Sequence, residues 1–279
     1  MKTFLKFLLI FSVLAVIIVF GISNAISKSG SAEQNVLEEQ TFDEEIKTME
    51  VQVKNARVDI LPSNDETTRI VLTGNSDDYS LAADHSGEHL QIEVDNRFRL
   101  FNFNFNRSYS LQVYVPASGF EALRVNSNNG AISAEDIGAV ELSIEADNGR
   151  IELESVKGER INIKTDNGRI ELTNMDADIN ASSSNGRINF TDVSGKLEAK
   201  TNNGRIELTT ETLDFPVDFE TDNGRIEIRT ENEPANIRIE ADADNGSIEL
   251  FGQNSEQLSF GTGDTLIRLA SDNGRISVE

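Results

Sequence analysis

The sequence predicts an all-β chain: a repeat β-solenoid of the single-stranded β-helix kind, with about 18 to 22 residues per rung, behind one N-terminal transmembrane helix. Three observations predict it. An Asn-Gly pair followed after one residue by isoleucine occurs eight times, apolar and polar residues alternate on both sides of every pair, and the chain opens on a long apolar run. Self-similarity at such a period marks stacked supersecondary units.

The N-terminal run comes first. Lys2 and Lys6 precede an uncharged stretch from Phe7 to Ser27, of which Phe7 to Ile22 is almost wholly apolar. About 20 residues cross a bilayer, and cleaved signals usually carry a shorter apolar stretch, so residues 1–27 read as an anchor. Ser23-Asn24-Ala25 would also serve as a cleavage site, which leaves a secreted product as the alternative. Lysines before the span and Glu33, Glu38 and Glu39 after it predict a cytoplasmic N-terminus and an extracytoplasmic remainder. Residues 28–40 are polar and read as a stalk.

Residues 41–120 hold alternating segments too irregular to be assigned as rungs: E-V-Q-V from Glu50, R-V-D-I-L-P to Pro62, R-I-V-L-T-G to Gly74, H-L-Q-I-E-V from His89 and S-L-Q-V-Y-V-P to Pro116. They are expected to begin and cap the same elongated domain. Within them Phe101, Phe103 and Phe105 alternate with asparagines, so in a strand the three rings share one face. Such a face caps an open core or forms an interaction patch.

Residues 121–279 carry the repeats. Their turns are Asn129-Gly130, Asn148-Gly149, Asn167-Gly168, Asn185-Gly186, Asn203-Gly204, Asn223-Gly224, Asn245-Gly246 and Asn273-Gly274. Three residues after each asparagine stands isoleucine, from Ile132 to Ile276, and five after it another apolar residue, from Ala134 to Val278. Six and four residues before it the positions are again apolar, while two before it the residue is always small: Ser127, Ala146, Thr165, Ser183, Thr201, Thr221, Ala243 and Ser271. Each turn thus joins two half-buried strands of period two, and the small residue lies beneath it. A weaker second turn follows half a period on, at Ile137-Gly138, Val156-Lys157-Gly158, Met175-Asp176-Ala177 and Val193-Ser194-Gly195.

Two topologies satisfy this pattern. In a solenoid the rungs stack in parallel at about 4.8 Å, eight of them making a rod of roughly 35 Å with the asparagines in a ladder along one edge. In an antiparallel meander each Asn-Gly would close a type I′ hairpin, its central residues at positive φ. Eight matching columns favour the solenoid, because in-register stacking puts like residues above like.

Charge bounds the partners. Beyond the first 28 residues the chain has 22 basic against 48 acidic residues, a net charge of -26, which repels nucleic acid and anionic lipid. It has no cysteine, hence neither disulfide scaffold nor thiol metal site. Arg150, Arg169, Arg187, Arg205, Arg225 and Arg275 would form a stripe suited to wall phosphates or carboxylated sugars. Each, however, stands two residues before an outward position that is often Glu and three after one that is often Asp, so mutual neutralisation is the expected role. The acids lack calcium-loop spacing, and His85 and His89 accompany no nucleophile motif. No cofactor, metal or catalytic residue is therefore assigned.

The segments V-K-N-A-R-V-D-I-L-P, L-Q-V-Y-V-P and S-G-F-E-A-L-R-V-N-S-N-N-G-A-I resemble a bacterial β-strand-repeat family of unknown function whose members carry the name "putative adhesin" and include LiaG-like membrane-anchored proteins of envelope-stress operons. The likeness covers roughly residues 45 to 279. It implies a β-solenoid ectodomain and brings no catalytic signature. The function expected is a non-enzymatic, membrane-anchored interaction module with envelope proteins as partners; the alternative is a surface adhesin binding a glycan or wall polymer.

Overall fold

The computed structural model describes residues 35–75, 79–96 and 108–279. The expected anchor (1–27) and Phe101, Phe103 and Phe105 lie outside these residues. Among the described residues no helix is long and apolar enough to cross a membrane.

The strands in chain order are β1 (Asn35–Phe42), β2 (Thr48–Val53), β3 (Arg57–Pro62), β4 (Thr68–Gly74), β5 (Tyr79–Ser86), β6 (His89–Asn96) and β7 (Tyr109–Val115). There follow β8 (Phe120–Ser127), β9 (Ile132–Glu135), β10 (Ala139–Ala146), β11 (Ile151–Glu154), β12 (Lys157–Thr165), β13 (Ile170–Ser183) and β14 (Arg187–Ser194). The last are β15 (Leu197–Thr201), β16 (Arg205–Thr210), β17 (Val217–Thr230), β18 (Ile237–Leu250), β19 (Gln257–Ser259) and β20 (Thr265–Val278).

Pairing between repeats is parallel and in register. Ile151 stands beside Ile132 and Ile170, Ile188 beside Ile206, and Ile226 beside Ile276. The fold is the solenoid; the meander is excluded. The strands before the Asn-Gly corner form one face, in the order β6, β2, β8, β10, β12, the second half of β13, β15, then the first halves of β17, β20 and β18. The strands after the corner form the other, in the order β7, β3, β9, β11, the first half of β13, β14, β16, then the second halves of β17, β20 and β18. The described residues form ten rungs, which at strand spacing extend about 43 Å.

The two additional rungs come from the segment that looked irregular. In V-K-N-A-R-V-D-I, Asn55 takes the ladder position with Ala56 in place of glycine, and Met49, Val51, Val53, Val58 and Ile60 fill the inward columns. The other rung consists of β6 and β7, and the sequence between them, residues 97–108, contains no Asn-Gly pair.

Two rungs are out of sequence order. The β2–β3 rung lies between β6–β7 and β8–β9, and β20 lies between β17 and β18. Each end of the repeat domain is thus tucked one place inward, where both edges of its strands are paired. Antiparallel strands then cover the outermost rungs: β5 on β6, β4 on β7, and β19 on the first half of β18. These additions leave less unpaired edge to template association. The long interval between Gly246 and Gly274 is the chain needed to leave β18, lay β19 along its edge and return on its other side.

Residues 35–40, expected in the stalk, belong to β1, which pairs antiparallel with β4. Their polar sequence suits a strand added outside the core, where only Leu37 and Phe42 pack against buried residues.

The core is the space between the two faces. Every isoleucine of the post-turn column is fully buried except Ile248, in the outermost rung, which is half-buried. In the middle, Phe190 and Phe219 stack with centroids 5.4 Å apart, and Ala181 and Ala199, in the same column as Phe219 and across the core from that of Phe190, leave room for the rings. Leu258, Phe260 and Phe251 pack against the C-terminal end of the core, the two rings meeting edge to face.

Candidate interaction face

The Asn-Gly corners build one continuous edge. Asn129 Nδ2 donates to Asn55 Oδ1, Asn148 to Asn129, Asn167 to Asn148, Asn185 to Asn167 and Asn203 to Asn185, each at 2.9 Å. The ladder continues from Asn223 to Asn203 at 3.2 Å, Asn273 to Asn223 at 3.1 Å and Asn245 to Asn273 at 3.3 Å. An amide suits this position because it carries donors and an acceptor, so identical side chains satisfy one another when stacked.

The glycines follow a different rule from the type I′ turn. None of the eight has positive φ. They are required by close approach: a Cβ on Gly168 would lie 1.8 Å from the Gly149 carbonyl oxygen, and one on Gly274 would lie 1.6 Å from that of Gly224. At the Asn55 corner Ala56 takes the place of glycine, and its carbonyl oxygen is the atom that a Cβ on Gly130 would meet, at 1.8 Å. Beneath the turns the small column is buried apart from Ala243, and Ser127 Oγ accepts from Gly130 N at 3.1 Å.

Positive φ belongs instead to the second corner, at Asp136, Ser155, Asn174 and Asp192, with φ between 51 and 55°. The sequence signal was available: each is a small polar residue seven places after a ladder asparagine, a type that tolerates the left-handed region. Asn174 Nδ2 also donates to Ser155 Oγ at 2.9 Å.

On the post-turn face the arginines align as expected. Arg187, Arg205, Arg225 and Arg275 occupy adjacent rungs in register. Their neutralisation runs through glutamate: Arg150 reaches Glu152 at 2.7 Å and Glu171 at 3.3 Å, Arg169 reaches Glu171 at 3.1 Å, and Arg205 reaches Glu207 at 2.7 Å. The aspartates before the turn take no part among the described residues. Asp147 accepts from Asn128 and Asp166 from Ser184, because the corner carries them onto the other face. Among the described residues Arg187 and Arg225 have no ion-pair partner: Arg187 has Asn189 where Glu would stand, and Glu227 pairs with Arg229.

At the C-terminal end of this face lies a shallow groove of about 440 Å³, lined by Arg225, Glu227, Glu249, Phe251, Arg275 and Ser277. Arg275 holds Glu249 at 2.6 Å, and Phe251 sits at φ 46°. Guanidinium, carboxylate and hydroxyl groups beside one ring can hydrogen-bond and stack on a polar ligand. Elsewhere on the surface, hydrogen bonding to Asp95 raises the Lys54 pKa and bonding to Glu220 raises that of Lys200, while bonds from Asn236 and Thr262 lower that of Asp264. Among the described residues no three His, Cys, Asp or Glu side chains converge as a metal site.

The family model described as Toastrack DUF4097 matches residues 46–279. No curated protein matches the chain. Among solved structures, one described as a "putative adhesin" from Bacteroides fragilis NCTC 9343 aligns at a TM-score of 0.52 and 12% identity, covering 89% of this chain and 98% of that one. Another, described as a "putative lipid binding protein" from Parabacteroides distasonis ATCC 8503, aligns at 0.52 and 16% identity, covering 87% and 96%. At these identities the likeness is one of fold.

Proposed function

The chain belongs to the Toastrack DUF4097 family, and from that premise we propose that it is a non-enzymatic, membrane-anchored extracytoplasmic protein of the bacterial cell envelope, acting as an accessory protein-interaction module in envelope stress. The observation that carries this reading is the unbroken stack. Stacking in register turns single residues into columns, and the post-turn face presents adjoining columns of arginine and glutamate. An apolar run from Phe7 to Ile22 behind two lysines supports tethering, and the ectodomain charge of -26 disfavours nucleic acid and anionic lipid as partners. Tethering beside another membrane protein raises effective concentration, so a weak contact suffices.

The test is photocrosslinking in living cells, with the crosslinking residue at Arg187 or Arg225 of the full-length chain. Capture of a membrane-anchored envelope protein from the post-turn face, and not from Glu145 on the opposite face, is the expected result. The second reading, an adhesin or glycan-binding module, is favoured by the groove at Phe251, Arg225 and Ser277. Saturable binding of a defined glycan, lost in Phe251→Ala, would select it. Glycan hydrolysis abolished by one carboxylate substitution would sink both.

A further inference from the structure

We infer that Asn245 is a site of spontaneous covalent modification, and that the asparagine ladder shields the seven other Asn-Gly pairs from the same chemistry. The eight pairs are chemically identical dipeptides, and an asparagine followed by glycine is prone to cyclise because the missing Cβ lets the glycine nitrogen approach the side-chain carbonyl carbon. The Gly246 nitrogen would attack Cγ of Asn245. The N–Cγ bond forms, the Cγ–Nδ2 bond breaks, and Nδ2 leaves as ammonia with the proton that the glycine nitrogen gave up. Water then opens the cyclic imide to aspartate or to its backbone-linked isomer, so that the net change is asparagine plus water to acid plus ammonia.

The stack treats the eight sites unequally. Each interior carboxamide, from Asn129 to Asn273, donates to one neighbour and accepts from the other, so swinging Cγ toward the glycine nitrogen breaks two hydrogen bonds. Asn245 ends the ladder and makes only one ladder bond, at 3.3 Å the longest of the series. The backbone agrees independently. The seven interior glycines are buried or half-buried, and Gly246 alone of the eight is exposed. At the opposite end Asn55 is followed by Ala56, whose methyl group hinders the attack. The consequence is local: the new carboxylate joins Asp244 and Asp272 at that corner, and the isomer's extra backbone atom would break the register of β18 on β20.

The full-length chain, incubated folded in mildly alkaline buffer and in parallel unfolded in urea, tests this by peptide mapping that separates aspartate from its isomer. In the folded chain Asn245 should convert about tenfold faster than the mean of the other seven, a barrier difference of about 1.4 kcal/mol, and in urea the eight should converge. An interior pair converting first, equal rates in the folded chain, or the same lead for Asn245 in urea would each overturn the inference.

Discussion

Asn167 Nδ2 lies 2.9 Å from Asn148 Oδ1, a contact between residues 19 apart in sequence and one rung apart in space. Asn185 donates to Asn167 in turn, so Asn167→Ala deletes two ladder bonds. At about 0.5–1.5 kcal/mol per bond, the variant should lose about 1–2 kcal/mol in denaturant unfolding. Asn167→Asp keeps an acceptor for Asn185 but cannot donate to Asn148 and sets a carboxylate oxygen against the Asn148 oxygen, so it should also lose stability.

Gly168→Ala separates two explanations of the glycines. Its Cβ would meet the Gly149 carbonyl oxygen, a backbone atom that cannot turn aside, and the expected loss is about 3 kcal/mol or more. Gly87→Ala provides the contrast: φ there is +63° but nothing lies within 4 Å, so about 1 kcal/mol is expected. A larger loss at Gly87, measured in the same melts, would restore the conformational explanation.

Ile170 is fully buried, with rungs on both sides. Ile170→Asp should destabilise the chain by more than about 4 kcal/mol, since a carboxylate there finds no partner. Glu171→Gln, one residue on, removes exposed bridges to Arg169 and Arg150 and should cost under about 1 kcal/mol. Equal melting temperatures for the two would contradict the inside and outside assignment.

A chain ending after Ser259 lacks β20, which pairs with β17 on one side and β18 on the other. Because rungs contact only their neighbours, the loss should stay local. Limited proteolysis should cut residues 231–259 while leaving the rungs up to β16 protected. Protection of β18 in this variant would mean that it can close onto β17 directly.

The columns were legible in the sequence because a solenoid repeats its environment at each rung. Ile132, between Val58 and Ile151, and Ile276, between Ile226 and Ile248, meet neighbours of the same kind, so the same residue type recurs and alignment on the asparagine separates inward from outward positions. The charge columns were only half legible. Glu171 pairs with arginine as the alternation suggested, but Asp166 lies across the corner on the other face, a relation that spacing along the chain does not encode. Asn55 carries no Asn-Gly mark, because Ala56 follows it in place of glycine; its place in the ladder shows only in the structure, where Asn129 donates to it.

By itself the sequence determined the period, the two corners and the buried columns, since all of these follow from local alternation and its repetition; it favoured the parallel stack over the meander, and the in-register pairing of the strands decided between them. Only the tertiary structure decided the order of the end rungs. A strand placed last in the stack or one place inward presents the same inward residues, so Ile276 reads alike in either position. What distinguishes the two is whether the backbone edges of β17, β18 and β20 find partners, and hydrogen bonding between main chains leaves no mark on side-chain periodicity.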